Sequence, residues 1–263
     1  MILDSLEPEP AFFTFTCRPE DGGAGIQAAL DSCPEGGSIL LLEGTYRIPE
    51  ALAFRRGGVA LFGRGAAQLT GGPSQGPGSS GLVHVCCPPP SSGSPAAATG
   101  PVMLDGVRIL NESEASSEAL LLTRGHLRLN RCRLAKRGGL SCVLRADGCP
   151  EGANGTRLEA FGCRFTGGGV GIWLGEGIGR DSRVEGCAIV GAAYAGVEVG
   201  EPALAGCLSG NAVEGCRWGV RVCVRREGEP FEVGPGNSFA GCAEGDVLER
   251  LVYSPPPPWL QQL

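Results

Sequence analysis

Three short segments share one pattern, Gly171-Ile-Trp-Leu174, Gly196-Val-Glu-Val199 and Gly219-Val-Arg-Val222, and carry Trp173, Glu198 and Arg221 in turn at the third place. If they are neighbouring strands with Ile172, Val197 and Val220 facing inwards, strand alternation turns the aromatic, the acid and the base outwards in one vertical row. Such a row can grip a sugar ring or a peptide, and Glu185 joins it as a further candidate contact. The plainer reading is a surface tryptophan packed on a neighbour, plus a solvated Glu198–Arg221 cross-strand pair worth about 0.2–1 kcal/mol. That reading is preferred for the pair, yet the row is the best site candidate on the chain.

Other reactive residues signal less. His84, Cys86 and Cys87 have zinc-binding side chains, but no Cys-x-x-Cys partner completes four donors, and alternation within a strand explains them. No metal or cofactor is therefore expected. His126 opens a strand and reads as a turn or surface residue. Arg55-Arg56, Arg131-Cys-Arg133 and Arg225-Arg226 read as solvated bends. Pro255 to Pro258 with Trp259 suggests a polyproline II segment or a disordered tail. Asn111-Glu-Ser and Asn154-Gly-Thr match glycosylation acceptors that matter only in a secreted protein.

The elements that position these residues follow from periodicity. Ile26, Ala29, Leu30 and Cys33 fall at i, i+3, i+4 and i+7, which predicts a short helix stopped by Pro34 and Gly36-Gly37. Ser38-Ile-Leu-Leu-Leu and Thr45-Tyr-Arg-Ile then read as strands around a Glu43-Gly44 turn, and Val59-Ala-Leu-Phe begins another. Residues 71–100 are rich in Gly, Pro, Ser and Ala around one strand at Leu82-Val-His-Val-Cys-Cys, and read as an insertion.

Beyond Pro101 the chain repeats. Val107-Arg-Ile, Cys132-Arg-Leu, Cys163-Arg-Phe, Cys187-Ala-Ile, Asn211-Ala-Val and Asn237-Ser-Phe start 25, 31, 24, 24 and 26 residues apart. A second column, Ser141-Cys-Val-Leu, Gly171-Ile-Trp-Leu, Gly196-Val-Glu-Val, Gly219-Val-Arg-Val and Gly245-Asp-Val-Leu, is spaced 30, 25, 23 and 26. A unit this short cannot bury its own apolar face, so units must stack at the strand spacing of about 4.8 Å. Composition agrees: 42% apolar residues exclude disorder, while 45 Gly and 20 Pro exclude long helices.

These residues resemble the pectate-lyase-like right-handed β-helix superfamily, whose coils carry an Asn-x-Ile … Gly-Ile-x-Val repeat, here Asn211-Ala-Val … Gly219-Val-Arg-Val. Ile26-Gln-Ala-Ala-Leu … Gly36-Gly-Ser-Ile-Leu-Leu-Leu-Glu-Gly-Thr-Tyr looks like its capping helix and first coil. The resemblance implies an inward Asn pillar that hydrogen-bonds along the stack, here formed by Cys132, Cys163, Cys187, Asn211 and Asn237. Cysteines there resemble the intracellular non-catalytic members. The superfamily's polygalacturonase-like hydrolases need an Asp-Asp pair, a Gly-His-Gly and an Arg-x-Lys, and the chain offers only Gly125-His126-Leu127.

The expectation is thus an all-β, single-stranded right-handed parallel β-helix with a short N-terminal capping helix. An extension spans 1–20, the cap and first coils 21–70, the insertion 71–100, the repeat coils 101–250 and a Pro-rich tail 251–263. The expected role is a non-catalytic, rigid module for a protein, peptide or glycan. The alternatives are a diverged carbohydrate-active enzyme, with its site along the Trp173 row or beneath the 71–100 loops and turnover that Glu198→Ala or Asp181→Ala would abolish, and a structural protein that oligomerises through the helix side. A net charge of −6 argues against nucleic-acid and membrane-surface partners. Acidic residues in Met1 to Pro10, an odd count of 13 Cys and no apolar leader predict a cytoplasmic or nuclear protein with reduced thiols.

Overall fold

The computed structural model describes residues 13–71, 81–87, 100–114, 117–148, 156–224 and 231–251. The Pro-rich tail, Arg225-Arg226 and the acceptor at Asn154 lie outside these residues, as do both stretches flanking the strand in 71–100.

The described chain winds through three parallel sheets of eight strands each, every full coil giving one strand to each in turn. Sheet 1 runs from Phe15–Cys17 to Leu208–Ser209, sheet 2 from Thr45–Arg47 to Ser238–Ala240, and sheet 3 from Leu52–Phe54 to Gly245–Leu251. Inward residues stack rung over rung: Leu120, Leu144, Ile172, Val197, Val220 and Val247 form one such file in sheet 3. Most side chains facing the interior of these coils are under 3% exposed, so the core is one continuous apolar column closed by stacking. The strand Gly81–Cys86 is part of sheet 3, paired with Leu52–Phe54 on one side and Glu118–Arg124 on the other.

The helix Gly22–Ser32 covers the first coil, with Ile26, Ala29 and Leu30 buried against it. Gln27 fixes the cap to the edge of sheet 3. Its Oε1 accepts from the Ala53 N–H at 2.8 Å and its Nε2 donates to the Ala53 carbonyl at 3.2 Å, so one side chain replaces a missing strand neighbour. Tyr46 does similar work inside, donating its hydroxyl towards the carbonyls of Cys17 at 2.7 Å and Leu42 at 2.9 Å.

The bend between sheets 1 and 2 needs left-handed backbone on each repeat coil. Gly106, Gly162, Gly186, Gly210 and Gly236 take it up with φ of 57–74°, and Arg131 holds the same place at φ 51°. At Gly162 and Gly186 an added Cβ would meet nothing within 4 Å, so the sign of φ, and not space, selects glycine. Within sheet 3 glycine is selected for the opposite reason: a Cβ on Gly196, in the strand Ala195–Val199, would lie 2.4 Å from Val213 Cγ1 in the core of the next coil.

The expected pillar is present. The residues that follow Cys132, Cys163, Cys187, Asn211 and Asn237 pair rung to rung from Arg133 to Ser238, which stacks the five in one file at the first bend. Two other registers differ from the sequence alignment. Leu144 pairs with Ile172, not Leu174, a shift of two that keeps the inward face but sets Arg145 beneath Trp173. Val220 pairs with Val247, a shift of one that turns Val247 inwards and Leu248 outwards. The physical reason is that strand period is two, while the bend before each strand varies in length, so a column matched on its glycines need not match on its ladder.

Candidate functional site

Sheet 3 places Arg145, Trp173, Glu198 and Arg221 directly over one another on four successive rungs. The expected row is thus formed, with Arg145 added below it. Trp173 is half-buried, and its ring N–H donates to Asp147 Oδ1 at 3.0 Å. Asp147 Oδ2 in turn lies 2.7 Å from Arg145 Nε, and Arg145 Nη1 lies 3.8 Å from Glu118 Oε1. The ring plane is therefore held by a carboxylate that an arginine anchors.

The upper half of the row departs from the expectation. Glu198 and Arg221 are 7% and 8% exposed, so they form a buried pair and not a solvated one, with Arg221 Nη1 3.4 Å from Glu198 Oε1. Tyr194 provides the cover: its ring lies 4.8 Å from the Arg221 guanidinium carbon, and its hydroxyl accepts from Arg221 Nη1. Cys223 closes the other side, with its sulfur 3.8 Å from Glu198 Oε1. Long side chains from adjacent rungs, 4.8 Å apart, shield one another although all point away from the core.

Glu118 sits beside the row, 4% exposed, and burial pushes its carboxyl up to about 7 against the lowering pull of Arg145. Its neighbourhood is polar and buried. Asn111 donates to the Ser117 carbonyl at 3.0 Å and the Glu118 carbonyl at 2.8 Å, and buried Lys136 donates to the Ser113 carbonyl at 2.7 Å. Burial lowers the Lys136 ammonium from its ordinary range, opposed by Glu118.

Glu185 does not belong to the row. It lies in sheet 1, between Phe161 and Ser209, and its carboxylate is 3.9 Å from Arg183.

Sheet 1 holds a cluster that sequence reasoning missed. Glu159, 3% exposed, accepts from His126 Nε2 at 2.9 Å, from Arg128 Nε at 2.7 Å and from Arg157 Nη2 at 2.6 Å. Burial alone would raise the Glu159 carboxyl, but the hydrogen bonds from Arg128 and His126 outweigh it and hold the group below its usual range. Asp181 pairs with the far side of Arg157 at 2.7 Å. The signal available in the sequence was the alternation of His126-Leu-Arg-Leu above Arg157-Leu-Glu-Ala. It is a third column of the repeat, harder to align because its strands shorten to two residues at Leu208–Ser209. His126 opens its strand as expected, but it is half-buried and tied to a buried acid, where a turn or surface role was expected. Desolvation by burial keeps its imidazole below the ordinary value.

His84 donates to or accepts from Thr123 Oγ1 at 2.9 Å, Cys87 is buried and Cys86 exposed. Among the described residues no group of three His, Cys, Asp or Glu stands close enough to hold a metal ion. Among the described residues no two cysteines form a disulfide.

The long connections leave sheet 3 on the side of Asp147. Residues 175–182 and 200–207 join sheet 3 to sheet 1, whereas two residues suffice between Phe161 and Arg164 or between Glu185 and Ala188. Those loops border the row along one edge.

Comparison with solved structures agrees with the overall architecture. The chain is similar to the catalytic unit of a thermostable GH87 α-1,3-glucanase from Streptomyces thermodiastaticus strain HF3-3, with a TM-score of 0.50 and 18% identity over 89% of this chain and 48% of that one. The fold is a parallel β-helix. At that identity the likeness bears on architecture alone, and this chain spans about half the glucanase unit's length. A Geobacillus virus E2 ORF18 structure also aligns, at 14% identity over 89% of this chain and 62% of that one, with a TM-score of 0.26. No protein-family model and no curated protein matches the sequence. Among the described residues no helix is long and apolar enough to cross a membrane.

Proposed function

We propose that this β-helix is a non-catalytic binding module whose outer sheet 3 face receives a glycan or a peptide of a partner protein at Trp173, with Arg145 beneath it and the buried Glu198–Arg221 pair stiffening the row above it. The observation that carries this reading is the fixed orientation of Trp173 by Asp147 at 3.0 Å, on a rigid strand with charged neighbours above and below. An aromatic face whose rotamer is already set loses little entropy on binding, and the partly exposed Asp147 carboxylate beside it supplies a polar contact that orients a ligand. A cytoplasmic or nuclear setting fits the reduced cysteines. Binding to a glycan and peptide panel should be lost in Trp173→Ala and partly kept in Trp173→Phe. Equal binding by wild type and Trp173→Ala would remove the reading.

One observation favours a second reading, a diverged carbohydrate-active enzyme. Glu118, raised to about 7, and the carboxylate of Asp147 share Arg145, and an acid with a base is the pairing that glycoside hydrolysis uses. Turnover on a polysaccharide panel that disappears in both Glu118→Gln and Asp147→Asn would establish this reading over the first. The structural-protein alternative, self-association through the helix side, is decided by light scattering at micromolar concentration.

A further inference from the structure

On sheet 2, Arg108, Arg133 and Arg164 lie directly over one another on three successive rungs. Their neighbours Ile109, Leu134 and Phe165 are buried, so the three arginines point outwards; Arg133 and Arg164 are exposed and Arg108 half-buried. Like charges directly opposite on adjacent strands repel, and the file is not neutralised at its ends, where Gln68 lies below and Ala188 above. Among the described residues none of the three has an ion-pair partner. Acids near the file in the chain face other arginines: Asp105 lies 2.7 Å from Arg131, Glu112 3.9 Å from Arg137 and Glu159 2.7 Å from Arg128. Arg131 holds Asp105 at the cost of a left-handed backbone that glycine occupies on the other repeat coils. A chain with 28 acids and a net charge of −6 thus keeps three unneutralised guanidinium groups in register.

We propose that Arg108, Arg133 and Arg164 form a binding site for a phosphate monoester dianion carried on a side chain of a partner protein. Guanidinium forks match oxyanions, and two forks one rung apart, about 4.8 Å, can close on the oxygens of a single phosphate while the third balances its remaining charge. A run of carboxylates suits the file less well, because side chains on one face of an extended peptide repeat about every 6.8 Å and fall out of step with the rungs. The site is on a different sheet from Trp173 and stands or falls independently of it.

Fluorescence anisotropy of a phosphoserine peptide against the whole chain tests this, with the same peptide carrying Glu in place of phosphoserine, inorganic phosphate as competitor, and a sulfated glycan as separate arms. Expected are binding of the phosphopeptide over the Glu peptide, displacement by inorganic phosphate, and steep weakening by salt. Arg133→Ala should weaken binding roughly 10- to 100-fold, and Arg133→Lys should recover only part, since an ammonium has no fork. Arg183→Ala, an exposed arginine on sheet 1, should leave it unchanged. Relief of repulsion should also raise the melting temperature of Arg133→Ala by about 1–2 °C, which separates lost binding from lost folding. Equal affinity for the Glu peptide, equal binding by Arg133→Ala, or capture of the sulfated glycan without the phosphopeptide would overturn the proposal.

Discussion

Asn211 and Cys187 hold the same place on neighbouring coils, and Asn211 Oδ1 accepts the backbone N–H of Cys187 at 2.9 Å. Each also reaches down the stack with its other group: Asn211 Nδ2 donates to the Val184 carbonyl at 2.9 Å, and the Cys187 thiol donates to the Ala160 carbonyl at 3.5 Å. Cys132 repeats the thiol version towards Leu104 at 3.3 Å. The pillar changes from amide to thiol partway along without changing its task, although a thiol makes the weaker bond. Asn211→Ala should therefore cost about 1–3 kcal/mol in urea unfolding, because it leaves the Cys187 N–H and the Val184 carbonyl buried without partners. Cys187→Ala removes only a weak donor and should cost less than Asn211→Ala; the reverse order would refute the account.

Burial makes the pillar thiols poor nucleophiles. The hydrogen bond with Cys132 and burial push Cys163 up to about 12, and Cys187 is pushed up through Cys163 and burial. Alkylation of the native chain at pH 8 should label Cys86, which is exposed, and spare Cys132, Cys163 and Cys187, as read by peptide mass spectrometry.

Glu118 gives the fold a pH dependence of defined sign. Its folded value is raised above the ordinary carboxyl value of 4.5 to about 7, so the folded state binds the extra proton across that window. Its contribution is most favourable below pH 4.5 and falls as pH rises to about 7, by roughly 2–4 kcal/mol. Glu118→Gln should abolish that slope, seen as the wild-type minus variant difference in unfolding free energy between pH 4.5 and 8. A difference that is flat with pH would exclude this role.

The Glu198–Arg221 pair should behave as a buried pair. A double-mutant cycle with Glu198→Ala and Arg221→Ala should return a coupling of about 1–3 kcal/mol, above the ~0.2–1 kcal/mol of exposed pairs. Glu198→Ala alone should be the worse single change, since it leaves a guanidinium at 8% exposure without its counter-charge, and among the described residues its Nε has no hydrogen-bond partner.

Arg131 tests the bend. Arg131→Gly restores the residue type that the left-handed conformation favours and should stabilise by about 0.5–1 kcal/mol, less the small value of an exposed Arg131–Asp105 pair. Thermal unfolding decides it, and a clear destabilisation would show that the pair outweighs the strain.

The parallel β-helix was legible in the sequence because stacking repeats chemistry at fixed places. Cys132, Cys163, Cys187, Asn211 and Asn237 share an environment and so recur, and Ile172, Val197 and Val220 mark the inward face by a period of two. The same period foretold that Trp173, Glu198 and Arg221 share a row. Whether an outward residue meets water was not written there. Tyr194, from a bend, covers Arg221; Glu159 collects His126, Arg128 and Arg157 from two rungs; and a shift of two brings Arg145 under Trp173. The sequence by itself determined which side of most strands faces the core, since that depends on local alternation; in Gly245–Leu251 the preceding bend shifts the face by one. Only the tertiary structure decided which outward charges are buried, paired or left open, since that depends on side chains some 25 residues away reaching across a rung.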